Sequence, residues 1–222
     1  MDRQVDDFAE QRAWMVEHQI RARGVHDPAV LKAMGAVPRH EFVPESLRGS
    51  AYADHPLPIG EDQTISQPYI VALMTEALAP CATDRVLELG GGSGYQAAVL
   101  AAIVDSVFTI EYFPSLAREA AARLARLGYA NVLVKAGDGW GGWPEHAPFD
   151  AAIITFATPD VPPAVVDQLR VGGRLCVPVG AAHAIQDLCI YTKQADGELK
   201  GRSLGAVRFV PVLGEGSRGR RE

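Results

Sequence analysis

Residues 86–94 read Val86-Leu87-Glu88-Leu89-Gly90-Gly91-Gly92-Ser93-Gly94, an apolar run that ends on a carboxylate, breaks into glycines and leads into a helical pattern. That is strand, tight turn, helix, the opening of an α/β unit. Glycine has no Cβ and takes positive φ, so such a turn lets backbone amides come close to a ligand. The spacing is E-x-G-x-G-x-G, with Tyr95 where a dinucleotide fingerprint has its last glycine, which argues against NAD or FAD. Glu88 points the same way, because a carboxylate beside the loop repels a pyrophosphate and suits an ammonium or sulfonium. S-adenosylmethionine (SAM) carries both cations and no phosphate. A glycine-rich turn also arises where a helix simply packs closely on a sheet. Against that reading stands Val107-Phe108-Thr109-Ile110-Glu111, which again ends in a carboxylate, 23 positions after Glu88. This is close to the offset of roughly 20 residues at which an acidic side chain meets ribose hydroxyls in nucleotide-binding units.

Composition narrows the function classes. A hydrophobic share of 48% with 22% charged residues in 222 is globular composition and excludes wholesale disorder. The net charge of -6 disfavours an extended nucleic-acid surface. Cys81, Cys176 and Cys189 are odd in number, lack C-x-x-C spacing and sit in or beside apolar runs, as expected of buried thiols of a reducing compartment, and the six histidines show no metal-ligand spacing, so no metal is predicted. No apolar stretch reaches the roughly 18 residues of a membrane span, and the N-terminus has no signal-like apolar region. The expectation is a cytoplasmic monomer with neither nucleic-acid nor membrane partners.

In chain order, Phe8, Met15, Val16 and Ile20 recur near helical spacing over residues 8–23, and Gly24 ends the pattern. Asp27-Pro28 is an N-cap followed by proline, and Val30, Leu31 and Met34 form the stripe of a second helix before Pro38. Residues 37–68 carry five prolines and little periodicity; a structured connection of this length is the first suspect for substrate contact. Ser66 precedes a proline-initiated helix with Ile70, Leu73, Met74, Ala77 and Leu78 on one face. It reads as an N-cap and as a ligand contact, which are compatible, since free amides at a helix start hold carboxylates.

A helix of small residues over 94–104, the strand 107–111, a helix from Pro114 to the stop at Gly128 and a strand over 132–135 follow. The last delivers Gly137-Asp138-Gly139. Alone this is a common surface turn. At the end of a third strand it lies on the edge where open α/β sheets bind ligands. Trp140, Trp143, Pro144, Pro148 and Phe149 make a proline-broken link to a fourth strand over 151–155. A short helix over 162–169 and strands over 174–179, 187–193 and 204–210 complete the chain, the last two as a hairpin. The predicted architecture is α/β, a doubly wound, mostly parallel sheet with an antiparallel edge hairpin. Residues 1–213 are expected to form one domain, with 8–67 as helical cap and substrate loop and 68–213 as the cofactor-binding part. Residues 214–222, rich in Gly, Ser and Arg, are expected to be a flexible tail.

With these residues assembled, the chain resembles the protein-L-isoaspartate (D-aspartate) O-methyltransferases over residues 15–214. The resemblance is carried by Leu57-Pro58-Ile59-Gly60, Gln63-Thr64-Ile65-Ser66-Gln67-Pro68-Tyr69, residues 86–96, Gly137-Asp138-Gly139 with Gly142-Trp143, Gly172-Gly173-Arg174, Pro178-Val179-Gly180 and Val207-Arg208-Phe209-Val210-Pro211. It implies a seven-stranded, Rossmann-like class I SAM-dependent methyltransferase that acts on the free carboxylate of isoaspartyl residues in damaged proteins or peptides. It also implies that Ser66 is the active-site serine and that Thr64, Ile65, Glu88, Glu111, Asp138 and Gly139 surround the cofactor. Gly90, Gly92 and Gly94 of the loop, with Gln63 and Tyr112, complete the expected cofactor set. Three departures stand out: Gly91 where the family has threonine, Asp62 where it has glycine, and Thr155-Phe156-Ala157-Thr158-Pro159 where it tends toward T-A-A-P. Phe156 at the ligand edge would narrow the substrate site and keeps open a relative specialised for one peptide; a non-catalytic SAM-binding module is the rival from another class.

Overall fold

The computed structural model describes residues 8–218. A two-stranded hairpin, β1 (Leu57–Gly60) and β2 (Gln63–Ile65), precedes the seven strands of one sheet. These are β3 (Arg85–Leu89), β4 (Ser106–Glu111), β5 (Val132–Ala136), β6 (Phe149–Ile154), β7 (Leu169–Val179), β8 (Gln186–Lys193) and β9 (Leu199–Val207). Their spatial order is β5-β4-β3-β6-β7-β8-β9, parallel from β5 to β7 and antiparallel across β8 and β9. The chain runs outward one way from β3 through β4 to β5, then returns to β6 on the other side of β3. The carboxyl ends of β3 and β6 therefore form a topological switch point, where open sheets of this kind leave a crevice.

Among the described residues six α-helices accompany the sheet: α1 (Ala9–Trp14), α2 (Pro28–Ala36), α3 (Pro68–Ala77), α4 (Tyr95–Ala101), α5 (Pro114–Arg126) and α6 (Pro163–Gln168). Strand side chains alternate between the faces. Val86, Val107 and Ile153 pack with Met74 of α3 and Ala97 and Leu100 of α4, while Leu87, Leu89, Phe108 and Ile110 pack with Val165 of α6. In place of an α-helix, a 3-10 turn, Pro144–His146, links β5 to β6; Trp143 and His146 cover that face, with Trp143 edge-on to Phe108 at 6.0 Å. Among the described residues no helix is long and apolar enough to cross a membrane.

The N-terminal helical pattern over 9–23 passes from α1 into a π-helical stretch, Met15–Ile20, and a 3-10 turn, and Gly24 ends it at φ +96°. Asp27 caps α2 by accepting from the amides of Ala29 and Val30. The long connection over 37–68 divides in two. Its first half is core, with Arg39, Phe42, Val43, Ala51 and Tyr52 buried against α4, and only its second half, the hairpin onward, reaches the crevice.

Three expectations are corrected. Cys176 and Cys189 are buried in the sheet, but Cys81, in the turn before β3, is exposed. The last strand is β9 at Leu199–Val207, not 204–210. Gly201 and Gly205 obscure it in the sequence, but Gly201 sits opposite Tyr191, whose ring fills the space its side chain would take. The expected flexible tail begins with a 3-10 turn, Gly214–Arg218, in which the Glu215 amide donates to Asp138 Oδ2 at 2.7 Å and Gly216 is buried against the Trp140 ring. Residues 219–222 of that tail lie outside the described residues.

Candidate active site

At the switch point β3 hands the chain to the glycine turn. Gly90, Gly92 and Gly94 all take positive φ, at +92°, +53° and +87°. Their tasks differ. A Cβ on Gly90 would stand 2.4 Å from Thr155 Oγ1 and 3.0 Å from the Phe156 ring, so the turn lies against the end of β6. A Cβ on Gly94 would press on Leu124 at 3.1 Å, so this glycine lets α4 pack against α5. Gly90 and Gly92 line an inner chamber of about 810 Å³ including its mouth; Gly94 does not.

The walls of that chamber come from six parts of the chain. β2 brings Gln63, Thr64 and Ile65, and Ser66 follows; the end of β4 brings Glu111 and Tyr112; the turn after β5 brings Asp138 and Gly139. All of these expected site residues are brought together, and Glu88 is the exception besides Gly94. Alternation along β3 turns Glu88 with Val86 toward α3 and α4, where it is fully buried and neither carboxylate oxygen has a hydrogen-bond partner among the described residues. Burial pushes its pKa up to about 8; the neighbouring Thr109 hydroxyl opposes the shift, although outside hydrogen-bonding geometry, and the charge of Glu111 adds to it.

Glu111 is held differently. Its Oε2 accepts from the Gly92 amide at 2.7 Å and its Oε1 from the Phe113 amide at 2.9 Å, so it clamps the glycine turn to the end of β4. Burial raises its pKa and those amides oppose the rise. Asp138 accepts from the Trp140 amide at 2.9 Å as well as from Glu215. With Glu111 and Asp138 in the wall the chamber is anionic, and among its described lining residues there is no Lys, Arg or His. A phosphate-bearing ligand would find no counter-ion here, whereas a cation bearing a ribose and an apolar base meets carboxylates, hydroxyls and the rings of Tyr112 and Phe156.

Sequence reasoning missed the roof. Beyond β9, residues 208–213 leave the sheet edge and cross back over the switch point: Ala157 donates to Val210 O, and Val212 donates to Ala157 O, both at 2.8 Å. This strap places Val210, Pro211 and Leu213 in the chamber wall. Pro211, which cannot donate to a ladder, was the sequence signal that an edge strand does not continue there. The Phe156 ring lines the inner chamber and is absent from the lining of the outer cleft.

That outer cleft adjoins the chamber. Thr64, Ser66, Thr155, Val210 and Pro211 line both spaces, and the cleft continues between Tyr69, Ile70 and Leu73 on one side and residues 204–209 on the other. Ser66 is not the cap of α3: Gln67 holds the N-cap position and no side chain caps the helix. The half-buried serine thus stands where the two spaces meet.

The chain is similar in sequence and fold to known proteins. A protein-L-isoaspartate O-methyltransferase of Syntrophus aciditrophicus (strain SB) is 53% identical over 213 residues, covering 95% of this chain and 97% of that protein. A solved protein-L-isoaspartate O-methyltransferase superposes with a TM-score of 0.83 at 32% identity, covering 94% of this chain and 67% of that one. The fold is shared by a Plasmodium falciparum structure described as a putative protein-L-isoaspartate O-methyltransferase in complex with S-adenosyl-L-homocysteine, with a TM-score of 0.77 at 23% identity, covering 91% of this chain and 98% of that one. The sequence pattern that defines the protein-L-isoaspartate(D-aspartate) O-methyltransferases matches residues 10–217, and with the two joined chambers behind it the chain belongs to that family.

Proposed function

We propose that the chain transfers the methyl group of SAM to the free carboxylate of L-isoaspartyl and D-aspartyl residues in damaged cytoplasmic proteins, the first step of their repair. The observation that carries this reading is the meeting of an anionic, glycine-floored chamber with an outer cleft at Ser66. The residues present fit SAM. Glu111 and Asp138 would hold its ribosyl and adenine ends, and Glu88, buried without a partner, would answer its positive charge through the glycine turn. When bound, SAM supplies an electrophilic methyl carried on a sulfonium.

The chain's own part is positioning. A carboxyl group with a pKa near 4 is already ionised at neutral pH, so no side chain has to remove a proton. Ser66 and Thr64, at the junction, would donate hydrogen bonds that orient the carboxylate, while the hairpin and the strap keep water out. Orientation of this kind is worth about 7 to 11 kcal/mol at its best. The narrower alternative, an enzyme confined to one peptide, rested on Phe156, which lines the inner chamber and not the outer cleft. Labelled methyl transfer to isoaspartyl and aspartyl versions of one peptide tests the reading. Label should enter the isoaspartyl form alone, and equal labelling of both would overturn it.

A further inference from the structure

The outer cleft has walls of unequal charge. Asp62 at the hairpin tip lies on one wall together with Arg23, whose guanidinium is 2.7 Å from Asp54 and stacks over the Tyr69 ring at 3.6 Å. Arg23 is thus already matched. The facing wall carries Arg208, where the chain leaves β9, and His183, in the turn between β7 and β8. Arg208 is exposed to the cleft, and among the described residues its guanidinium makes no hydrogen bond or ion pair.

The backbone under this wall is fixed. The Phe209 amide donates to Gln186 Oε1 at 2.9 Å, and Gln186 Nε2 donates to the carbonyls of Ala181 at 3.0 Å and Ala184 at 2.8 Å. A single glutamine, 1% exposed, therefore anchors the segment carrying Arg208 and the turn carrying His183, which sits at φ +62°, a region side-chain-bearing residues avoid. Two and three residues beyond Arg208, Val210 and Pro211 line both spaces. A peptide whose reacting carboxylate reaches the junction must carry its neighbouring residues past this guanidinium.

We propose that Arg208 is a specificity-determining residue that favours isoaspartyl peptides with an acidic side chain next to the isoaspartyl residue. This rests on the isoaspartyl reading above. An arginine without an internal partner breaks no ion pair when it receives a carboxylate, which it can grip through two N–H groups, and it repels a lysine brought to the same place. Asp62 on the opposite wall makes the cleft a dipole, so the preference has a direction as well as a sign.

The test uses three isoaspartyl peptides that differ only in flanking the isoaspartyl residue with Glu, Gln or Lys, and the wild type with Arg208→Ala and Arg208→Glu. Arg208 is exposed, so both variants should fold, and the Gln-flanked peptide sets the baseline for each protein. The wild type should prefer the Glu-flanked over the Lys-flanked peptide by about three- to tenfold in kcat/KM, expressed in KM and shrinking at high salt. Arg208→Ala should erase the preference, and Arg208→Glu should reverse it. A charge-blind wild type, or an Arg208→Glu enzyme that keeps the wild-type order, would overturn the proposal. So would an Arg208→Ala enzyme that loses the same factor on all three peptides, because that would put Arg208 on the reacting carboxylate. Transfer by the wild type to none of the three would instead overturn the isoaspartyl reading, and this proposal with it.

Discussion

Because Gln67 and not Ser66 occupies the N-cap of α3, replacing Ser66 removes no capping bond from the fold. A cap would have cost about 0.5 to 2 kcal/mol of stability. Ser66→Ala should instead melt near wild type and bind SAM, yet transfer methyl to an isoaspartyl peptide roughly ten- to a hundredfold more slowly, the size of a hydrogen bond to a charged group. Thermal midpoint, SAM affinity and single-turnover rate on one variant decide it; an unimpaired rate would remove the serine from the mechanism. Glu111 behaves in the opposite way, since its carboxylate satisfies the Gly92 and Phe113 amides as well as facing the chamber. Glu111→Ala should lose stability by about 1 to 3 kcal/mol and weaken SAM binding at least tenfold. Calorimetry showing unchanged affinity would make Glu111 a clamp of the turn and nothing more. The sequence could name both residues because each sits where a strand or helix boundary is visible. It could not tell their tasks apart, because which amides they meet depends on how the turn folds back.

At the scale of elements, periodic segments were legible and aperiodic ones were not. The stripe Leu116, Ala120 and Leu124, opened by Pro114, marks α5 without help from the rest of the chain. The hairpin of β1 and β2 escaped notice because its turn, Glu61-Asp62, runs at φ +52° and +55° without the glycine such turns favour. Its tip is held instead by Ser115, whose hydroxyl donates to Glu61 at 2.5 Å. Asp62 leaves an anion in the outer cleft, so Asp62→Gly should lower KM for an isoaspartyl peptide a few-fold at low salt and less at high salt. An unchanged KM would mean that the Asp62 charge is not felt by the substrate. The strap was invisible for another reason: its hydrogen bonds run to Ala157, more than fifty residues away in the chain. Ending the chain after Leu213 removes the Glu215 bond to Asp138 and the packing of Gly216 on Trp140, but no sheet pairing. The truncated protein should remain folded by circular dichroism and release S-adenosyl-L-homocysteine faster in stopped flow. Release at the wild-type rate would show that the Gly214–Arg218 turn does not hold the strap over the chamber.

For the whole molecule, the doubly wound, mostly parallel architecture followed from alternation of strand and helix, and the position of the site followed from the strand ends gathered on one edge, because open sheets of this kind bind ligands there. The depth of the site did not follow. Sequence placed Glu88 at a strand end beside the ligand, while the structure puts it fully inside, with no partner for either oxygen among the described residues. Such a group couples the stability of the entire fold to pH. Its pKa is 4.5 when free and about 8 when buried, so between these values the folded protein holds a proton that the unfolded chain has lost. The contribution of Glu88 to stability therefore falls as pH rises from 4.5 toward 8 and levels off above that. Urea unfolding of the ligand-free protein across this range should show the decline, and Glu88→Gln, which has no proton to lose, should flatten it and gain most over wild type at the alkaline end. Equal slopes would mean that Glu88 ionises as freely in the fold as outside it. The same proton reports on the cofactor. A positive charge brought close to Glu88 favours its ionised form, so SAM binding at pH 7 should release a fraction of a proton in the wild type and less in Glu88→Gln. Calorimetry in two buffers of different ionisation enthalpy counts that proton, and an identical count in both proteins would leave Glu88 a bystander to the cofactor's charge.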